Sequence, residues 1–201
     1  MESFFENEYY HIYVRGKNKE NIFLEENDYL RMMALINNCN KIDSDSLSRI
    51  LRKNNIKELC AYKELCAYKE NQTSFLEMQS FTIMPNHLHL MFKSLSPKFT
   101  GHFMRRILTS YAKYFNLKYS NIGHVFESKY KFEHVNTQEY FDILLSYIRN
   151  NPLKLLDKKY KHIDLINGIY KISPEIDIFI KNYPYSWQRP TLTDSTMSFI
   201  S

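Results

Sequence analysis

The stretch Ser80-Phe-Thr-Ile-Met-Pro-Asn-His-Leu-His-Leu-Met-Phe-Lys93 decides how this chain is read. Pro85-Asn86 interrupts two β-forming runs, and Asn suits a tight turn, so strands are predicted over 75–84 and 87–93, joined as a hairpin. Side chains alternate along a strand, which puts His87 and His89 on one face and Leu88, Leu90 and Phe92 on the other. The apolar set demands a cover. The two imidazoles are a candidate metal pair, because neutral histidine is the commonest side-chain ligand for a divalent cation. The same alternation also fits an amphipathic strand whose histidines simply meet water.

Outward from the hairpin, the chain alternates strands and helices. Glu8–Arg15 is aromatic and β-branched, a first strand ended by Gly16 and a basic turn, Lys17-Asn18-Lys19. Asn27 or Asp28 can cap a helix with Tyr29, Leu30, Met33, Leu35 and Ile36 on one face. Pro97 opens a helical region over 99–118, striped by Phe103, Ile107, Leu108, Tyr111 and Phe115. Lys129–Val135 alternates as a fourth strand. Thr137 caps a further helix that stops at Asn151, because Pro152 disfavours helical geometry in the residue before it. The order β-α-β-β-α-β-α predicts an α+β fold with a ferredoxin-like, RRM-like antiparallel sheet, helices on one face and the other face open.

A chain of 201 residues with 44% hydrophobic residues can bury a real core, which excludes a disordered polypeptide. The expected division is a domain over 1–156 and a C-terminal extension over 157–201, packed on the domain through the aromatic segment 183–190 and ending in a loose tail. Residues 41–74 read as an inserted helical segment, in which Lys57–Tyr62 is repeated without change as Lys63–Tyr68. Two copies of six residues are too short for a solenoid. No apolar run is long enough to span a membrane, and no leader pattern stands at the N-terminus. Cys39, Cys60 and Cys66 form no even framework and are expected to be reduced thiols in a cytoplasmic protein.

The net charge of +5 is unevenly placed: Gly101–Lys161 holds eleven Lys/Arg against five Asp/Glu. A basic half rich in tyrosine suits a nucleic-acid partner, since phosphates attract cations and exposed bases stack on flat rings. A compositional bias of the genome toward Lys, Asn and Tyr would leave the same trace. The second feature is Ser146-Tyr147-Ile148-Arg149-Asn150-Asn151-Pro152, where Tyr147 and Asn151, four apart, share a helical face. By spacing alone, Tyr147 fits a packing residue as well as a nucleophile.

Taken together, these motifs carry a resemblance. Met84-Pro85-Asn86-His87-Leu88-His89-Leu90 resembles the metal motif of the HUH single-tyrosine transposases, in particular their REP-associated branch. Tyr10-His11-Ile12 with Arg15-Gly16 is similar to that family's first strand and turn. Gly123 to Lys131 resembles its Gly-His-Leu-Phe-Gln-Gly-Arg-Phe-Lys stretch, Tyr147-Ile148 with Asn151-Pro152 its Tyr-Ile-x-x-Asn-Pro block, and Tyr183-Pro184 with Ser186 its closing element. Each motif is weak alone, but their order is specific. Two departures stand out: Glu127-Ser128 replaces Gln-Gly, adding a negative charge to a basic stretch, and the interval before the second strand is longer by roughly the duplicated region.

The resemblance implies cleavage and rejoining of single-stranded DNA at hairpin-associated sites. It makes Tyr147 the nucleophile, forming a 5′-phosphotyrosine, and His87 and His89 the ligands of Mg²⁺ or Mn²⁺, with Asn151 as third ligand. Arg15, Lys17, Arg105, Arg106, Lys129 and Lys131 are candidate phosphate contacts, Tyr130 a stacking surface, and His124 a further site residue or an ordinary packed histidine. A monomer acting in cis is expected, with a dimer as the alternative. A domesticated binder that does not cut, or a metal nuclease using water, are the competing readings.

Overall fold

The computed structural model describes residues 4–40, 74–156 and 174–188. Five strands, β1 (Tyr9–Arg15), β2 (Leu76–Met84), β3 (His87–Ser94), β4 (Lys131–Val135) and β5 (Ser186–Gln188), form one sheet in the order β4-β1-β3-β2-β5. Each neighbouring pair is antiparallel. Helix α1 (Glu26–Cys39) joins β1 to β2, and α2 (Pro97–Tyr119) joins β3 to β4. The first four strands therefore have the expected ferredoxin-like α+β arrangement.

Alternation sorts the strands into two faces. Tyr10, Ile12, Val14, Phe81, Ile83, Leu88, Leu90 and Phe92 lie almost wholly buried in one cluster with Met32, Leu35 and Ile36 of α1 and Phe103, Ile107 and Tyr111 of α2. Full burial of a side chain of this size stabilises by roughly 1.5–3 kcal/mol, so this layer is the main source of cohesion. Beneath it, the Asp28 carboxylate accepts hydrogen bonds from Lys118 Nζ (2.7 Å), Tyr114 (2.8 Å), Tyr119 (2.7 Å) and the Leu24 and Glu25 amides (2.8 and 3.1 Å). Asp28 thus serves the start of α1 from inside its first turn. The residue at the cap position is Glu25, two or three residues earlier than the Asn27 or Asp28 the sequence suggested.

The opposite face is not open, contrary to the sequence-based expectation. Helix α3 (Gln138–Asn150) lies across it, and Met91 and Val135 cluster there with Leu144, Tyr147, Ile148, Leu153 of the short α4 (Leu153–Leu156), and Ile180 of α5 (Pro174–Asn182). The physical reason is the apolar stripe of α3: left off the sheet, it would have had to face water. Thr137 caps α3 as expected, its hydroxyl accepting from the Tyr140 amide at 3.1 Å.

The β2–β3 hairpin turns through two residues, with Met84 paired to His87. Its tip is clamped to the chain after β1: the Pro85 carbonyl accepts from Ile22 and Phe23, and the Asn86 carbonyl accepts from Gly16 at 2.9 Å. Gly16 is required by proximity, since a Cβ there would lie 2.7 Å from Ile22 Cγ2 and collide with the Glu20 carbonyl oxygen. At the other sheet edge, β5 pairs with β2, Tyr183 donates to the Ile83 carbonyl at 2.7 Å, and Tyr185 stacks on Tyr29 with centroids 4.0 Å apart. Ser186–Gln188 of the aromatic segment thus form an added edge strand.

Lys129 and Tyr130 fall outside β4, which begins at Lys131. Among the described residues no helix is long and apolar enough to cross a membrane. Cys39 is a buried free thiol, and burial pushes its pKa up. The Lys57–Tyr68 repeat with nearly all of the 41–74 segment, Cys60, Cys66 and the last ten residues lie outside the described residues.

Candidate active site

The sheet face that carries His87 and His89 also carries His11, Tyr13 and Arg15 of β1, because Tyr13 pairs with His89 and Arg15 with His87 across the strands. Lys131 and Glu133 of β4 join them through Tyr13 and His11. Helix α3 then closes one side of this face. The result is a cleft of about 870 Å³ lined by His11, Tyr13, Arg15, His87, His89, Lys131, Glu133, Tyr147 and Lys154, among others.

The register explains why the pair converges. His87 and His89 are separated by one pleat, with ring centroids 5.1 Å apart and planes nearly perpendicular. Above them, Asn151 reaches down from the end of α3 and lies between the two rings. Its Oδ1 is 3.1 Å from His87 Nε2, and its Nδ2 is 3.5 Å from His89 Nε2. One helical turn earlier, the Tyr147 ring stands edge-on to His89 with centroids 5.3 Å apart. Tyr147 and Asn151 thus share a face, as their spacing suggested, and that face is turned toward both histidines.

The donor set suits a divalent cation. His87 Nδ1 lies 2.6 Å from Asn86 Oδ1, and the Asn86 amide is oriented by its own Nδ2, which donates to the Lys19 carbonyl at 3.0 Å. Burial depresses the His87 pKa to about 4, with the Asn151 hydrogen bond opposing and the Lys154 and Arg15 charges reinforcing the shift. A neutral ring has one proton for two flanking oxygens, so either Asn86 or Asn151 meets a bare lone pair. With the proton on Nδ1, the lone pairs of His87 Nε2 and Asn151 Oδ1 point at each other, a repulsion that a shared cation converts into two bonds. Two imidazoles and one amide oxygen form a mixed N/O set compatible with Mn²⁺, while Mg²⁺ prefers oxygen. Among the described residues no cluster of three His, Cys, Asp or Glu side chains offers an alternative metal centre.

Around this centre the charges are mostly positive. Lys154 Nζ sits 5.2 Å from the centre of the Tyr147 ring, and burial together with the Arg15 charge lowers its pKa. The Tyr147 phenol is pushed up by burial, partly countered by a hydrogen bond with the Asn151 side chain and by Arg15.

The candidate DNA-contact residues do not form one surface. Arg15 and Lys131 line the cleft with the histidines. Arg105, Lys129, Tyr130 and His124 line a second groove of about 620 Å³ between α2 and the segment before β4, where Glu127 also lies. Lys17 and Arg106 line neither groove. Sequence reasoning passed over His11, Tyr13, Glu133 and Lys154 as site residues. Alternation along β1 could have flagged His11 and Tyr13, which share the parity of Arg15; Lys154 lies three residues beyond Asn151, one turn further on.

Comparison with known proteins completes the picture. The family model described as "Transposase IS200 like" matches residues 4–151. Among solved structures, the chain is similar to a REP-associated tyrosine transposase bound to a REP hairpin, at 13% identity over 86% of this chain and 87% of that one, with a TM-score of 0.46. It is also similar to tRNA(His) guanylyltransferase from Saccharomyces cerevisiae, at 12% identity over 94% and 88% of the two chains, with a TM-score of 0.35. Likeness this distant carries no functional weight. No curated protein matches the sequence. Because the family model runs from the residues before β1 through the helix end that bears Tyr147 and Asn151, the chain belongs to the IS200-like transposase family.

Proposed function

We propose that the protein cleaves and rejoins single-stranded DNA at hairpin-associated sites, in the manner of the REP-associated branch of its family, with Tyr147 as nucleophile. The observation that supports this best is the edge-on placement of Tyr147 against His89, in the cleft where Asn151 spans both imidazoles. His87, His89 and Asn151 would hold Mn²⁺ or Mg²⁺, which when bound supplies electrophilic polarisation of the scissile phosphate and offsets charge in the transition state.

The Tyr147 hydroxyl attacks phosphorus, and the bond from phosphorus to the 3′ oxygen breaks. The phenol gives up its proton and the departing oxygen takes one up, leaving a 5′-phosphotyrosine and a 3′-hydroxyl. A second 3′-hydroxyl reverses the step onto another strand, so the exchange needs no external energy source. Arg15, Lys131 and Lys154 hold the phosphate against the face that Tyr147 approaches. Lys154 also stabilises the phenolate as it forms, which matters because burial holds the phenol protonated. Nucleophile and imidazoles lie in one chain's cleft, which supports action in cis by a monomer whose catalytic unit is residues 1–156.

Arg105, Lys129 and Tyr130 would engage the DNA outside the reacting nucleotides, with Lys17 and Arg106 as outlying phosphate contacts. Incubation with end-labelled hairpin single strands and Mn²⁺, followed by denaturing electrophoresis, tests the proposal. A covalent protein–DNA band that disappears in Tyr147→Phe supports it. Cleavage without such a band would favour attack by water, and binding without cleavage a protein that only holds DNA.

A further inference from the structure

His89 has a neighbour that neither its motif nor the transposase reading uses. His11 of β1 is buried, and its Nε2 lies 2.9 Å from His89 Nδ1. The two rings are inclined by only 10° with centroids 5.2 Å apart, so the hydrogen bond runs close to both ring planes. On its far side, His11 Nδ1 faces Glu133 Oε2 at 3.8 Å, within ion-pair reach. Glu133 is the cross-strand partner of His11, and its Oε2 is anchored by the Tyr140 hydroxyl at 2.7 Å.

With both rings neutral, only one placement of protons satisfies this row. If His89 carries its proton on Nδ1, it donates to His11 Nε2. His11 then carries its own proton on Nδ1, directed at the Glu133 carboxylate. The reverse placement would leave the His11 Nδ1 lone pair facing a carboxylate, an unfavourable contact of two acceptors. The favoured placement leaves His89 Nε2 bare on the side where Asn151 Nδ2 approaches. Asn86 Oδ1 does for His87 what His11 does for His89: each occupies the Nδ1 side and leaves Nε2 turned toward Asn151.

We infer that His11, backed by Glu133 and Tyr140, is a positioning residue that fixes the tautomer and ring orientation of His89 so that its Nε2 lone pair faces the cleft. The inference rests on the reading of His87 and His89 as metal ligands. Outer partners of this kind set ligand basicity and orientation, and their loss typically weakens metal binding by about 10- to 100-fold.

The test uses the full chain. Nitrogen-15 spectra of the histidine rings in the metal-free protein report which ring nitrogen of His89 is protonated, and a Mn²⁺ titration by electron paramagnetic resonance reports affinity. Wild type should show His89 protonated on Nδ1. His11→Phe, which has no acceptor, should give a mixture or the other tautomer and lose Mn²⁺ affinity by about tenfold or more. His11→Gln, whose amide oxygen can accept from Nδ1, should restore both readouts and guards against a mere folding defect. An unchanged His89 spectrum in His11→Phe, or undiminished Mn²⁺ affinity, would overturn the inference. Failure of wild type to bind Mn²⁺ would instead sink the metal reading, while the ring spectra still decide the role of His11.

Discussion

The amide oxygen of Asn151 lies 3.1 Å from Nε2 of His87, joining the C-terminal end of α3 to the first residue of β3 across the cleft. The two residues are separated by 64 positions in the chain. Their approach depends on α3 crossing the sheet face that carries the histidines. If the pair shares a cation, changing the amide oxygen should change affinity and metal preference without touching either imidazole. Asn151→Ala is expected to lower Mn²⁺ affinity by about tenfold or more, and Asn151→Asp, which supplies a harder anionic oxygen, to raise affinity for Mg²⁺ relative to Mn²⁺. Calorimetric titration of both ions checks this; equal affinities in all three proteins would remove Asn151 from the site.

Lys154 provides a second test, because it touches the face of the Tyr147 ring rather than the imidazoles. Lys154→Met keeps the stem that packs in the cleft and removes the charge. Single-turnover cleavage is expected to slow by about 100- to 1,000-fold, the range found when one donor to a developing negative charge is removed. Mn²⁺ affinity should not fall with it. The salt dependence of single-strand binding should also flatten, by about 0.7 in the slope of log K against log salt for one lost phosphate contact.

The Asp28 cluster makes a prediction about pH and stability away from the cleft. Burial alone would raise the Asp28 pKa, but hydrogen bonds from Lys118, Tyr119, Leu24 and Tyr114 hold it below the ordinary carboxylate value. A carboxylate whose pKa is lower in the folded than in the unfolded state contributes stability above the unfolded value, about 3.9, and loses it as pH falls through the folded value. Asp28→Asn removes that contribution and leaves Lys118 short of its main partner. The variant should lose about 2 kcal/mol or more at neutral pH. Urea midpoints should also show a shallower decline below pH 4 than in wild type, and an equally steep decline would contradict the assignment.

Much of the cleft was legible in the sequence because its parts are local. A proline and an asparagine between two β-forming runs define the hairpin, alternation puts His87 and His89 on one face, and a four-residue helical spacing aligns Tyr147 with Asn151. What escaped notice depends on which strands become neighbours. His11 meets His89 only because β1 lies beside β3, and Glu133 meets His11 only because β4 closes the other side of β1. The covering of the histidine face by α3 was missed for a related reason: an apolar stripe shows that a helix must pack, but not on which side of the sheet. The basic residues were counted as one group, yet the fold sends Arg15 and Lys131 to one groove and Arg105 and Lys129 to another. With only three residues, β5 left no strand pattern to find; it forms because Tyr183 and Tyr185 anchor the chain against β2 and α1.

The central claim is that Tyr147 forms the covalent bond to DNA. The most direct measurement is peptide mass spectrometry of the protein trapped on a hairpin single strand in Mn²⁺, after nuclease trimming of the DNA. The account predicts a nucleotide remnant attached through phosphate to Tyr147, and no remnant anywhere in Tyr147→Phe. A remnant on another residue, or efficient cleavage by wild type with no modified peptide, would contradict it.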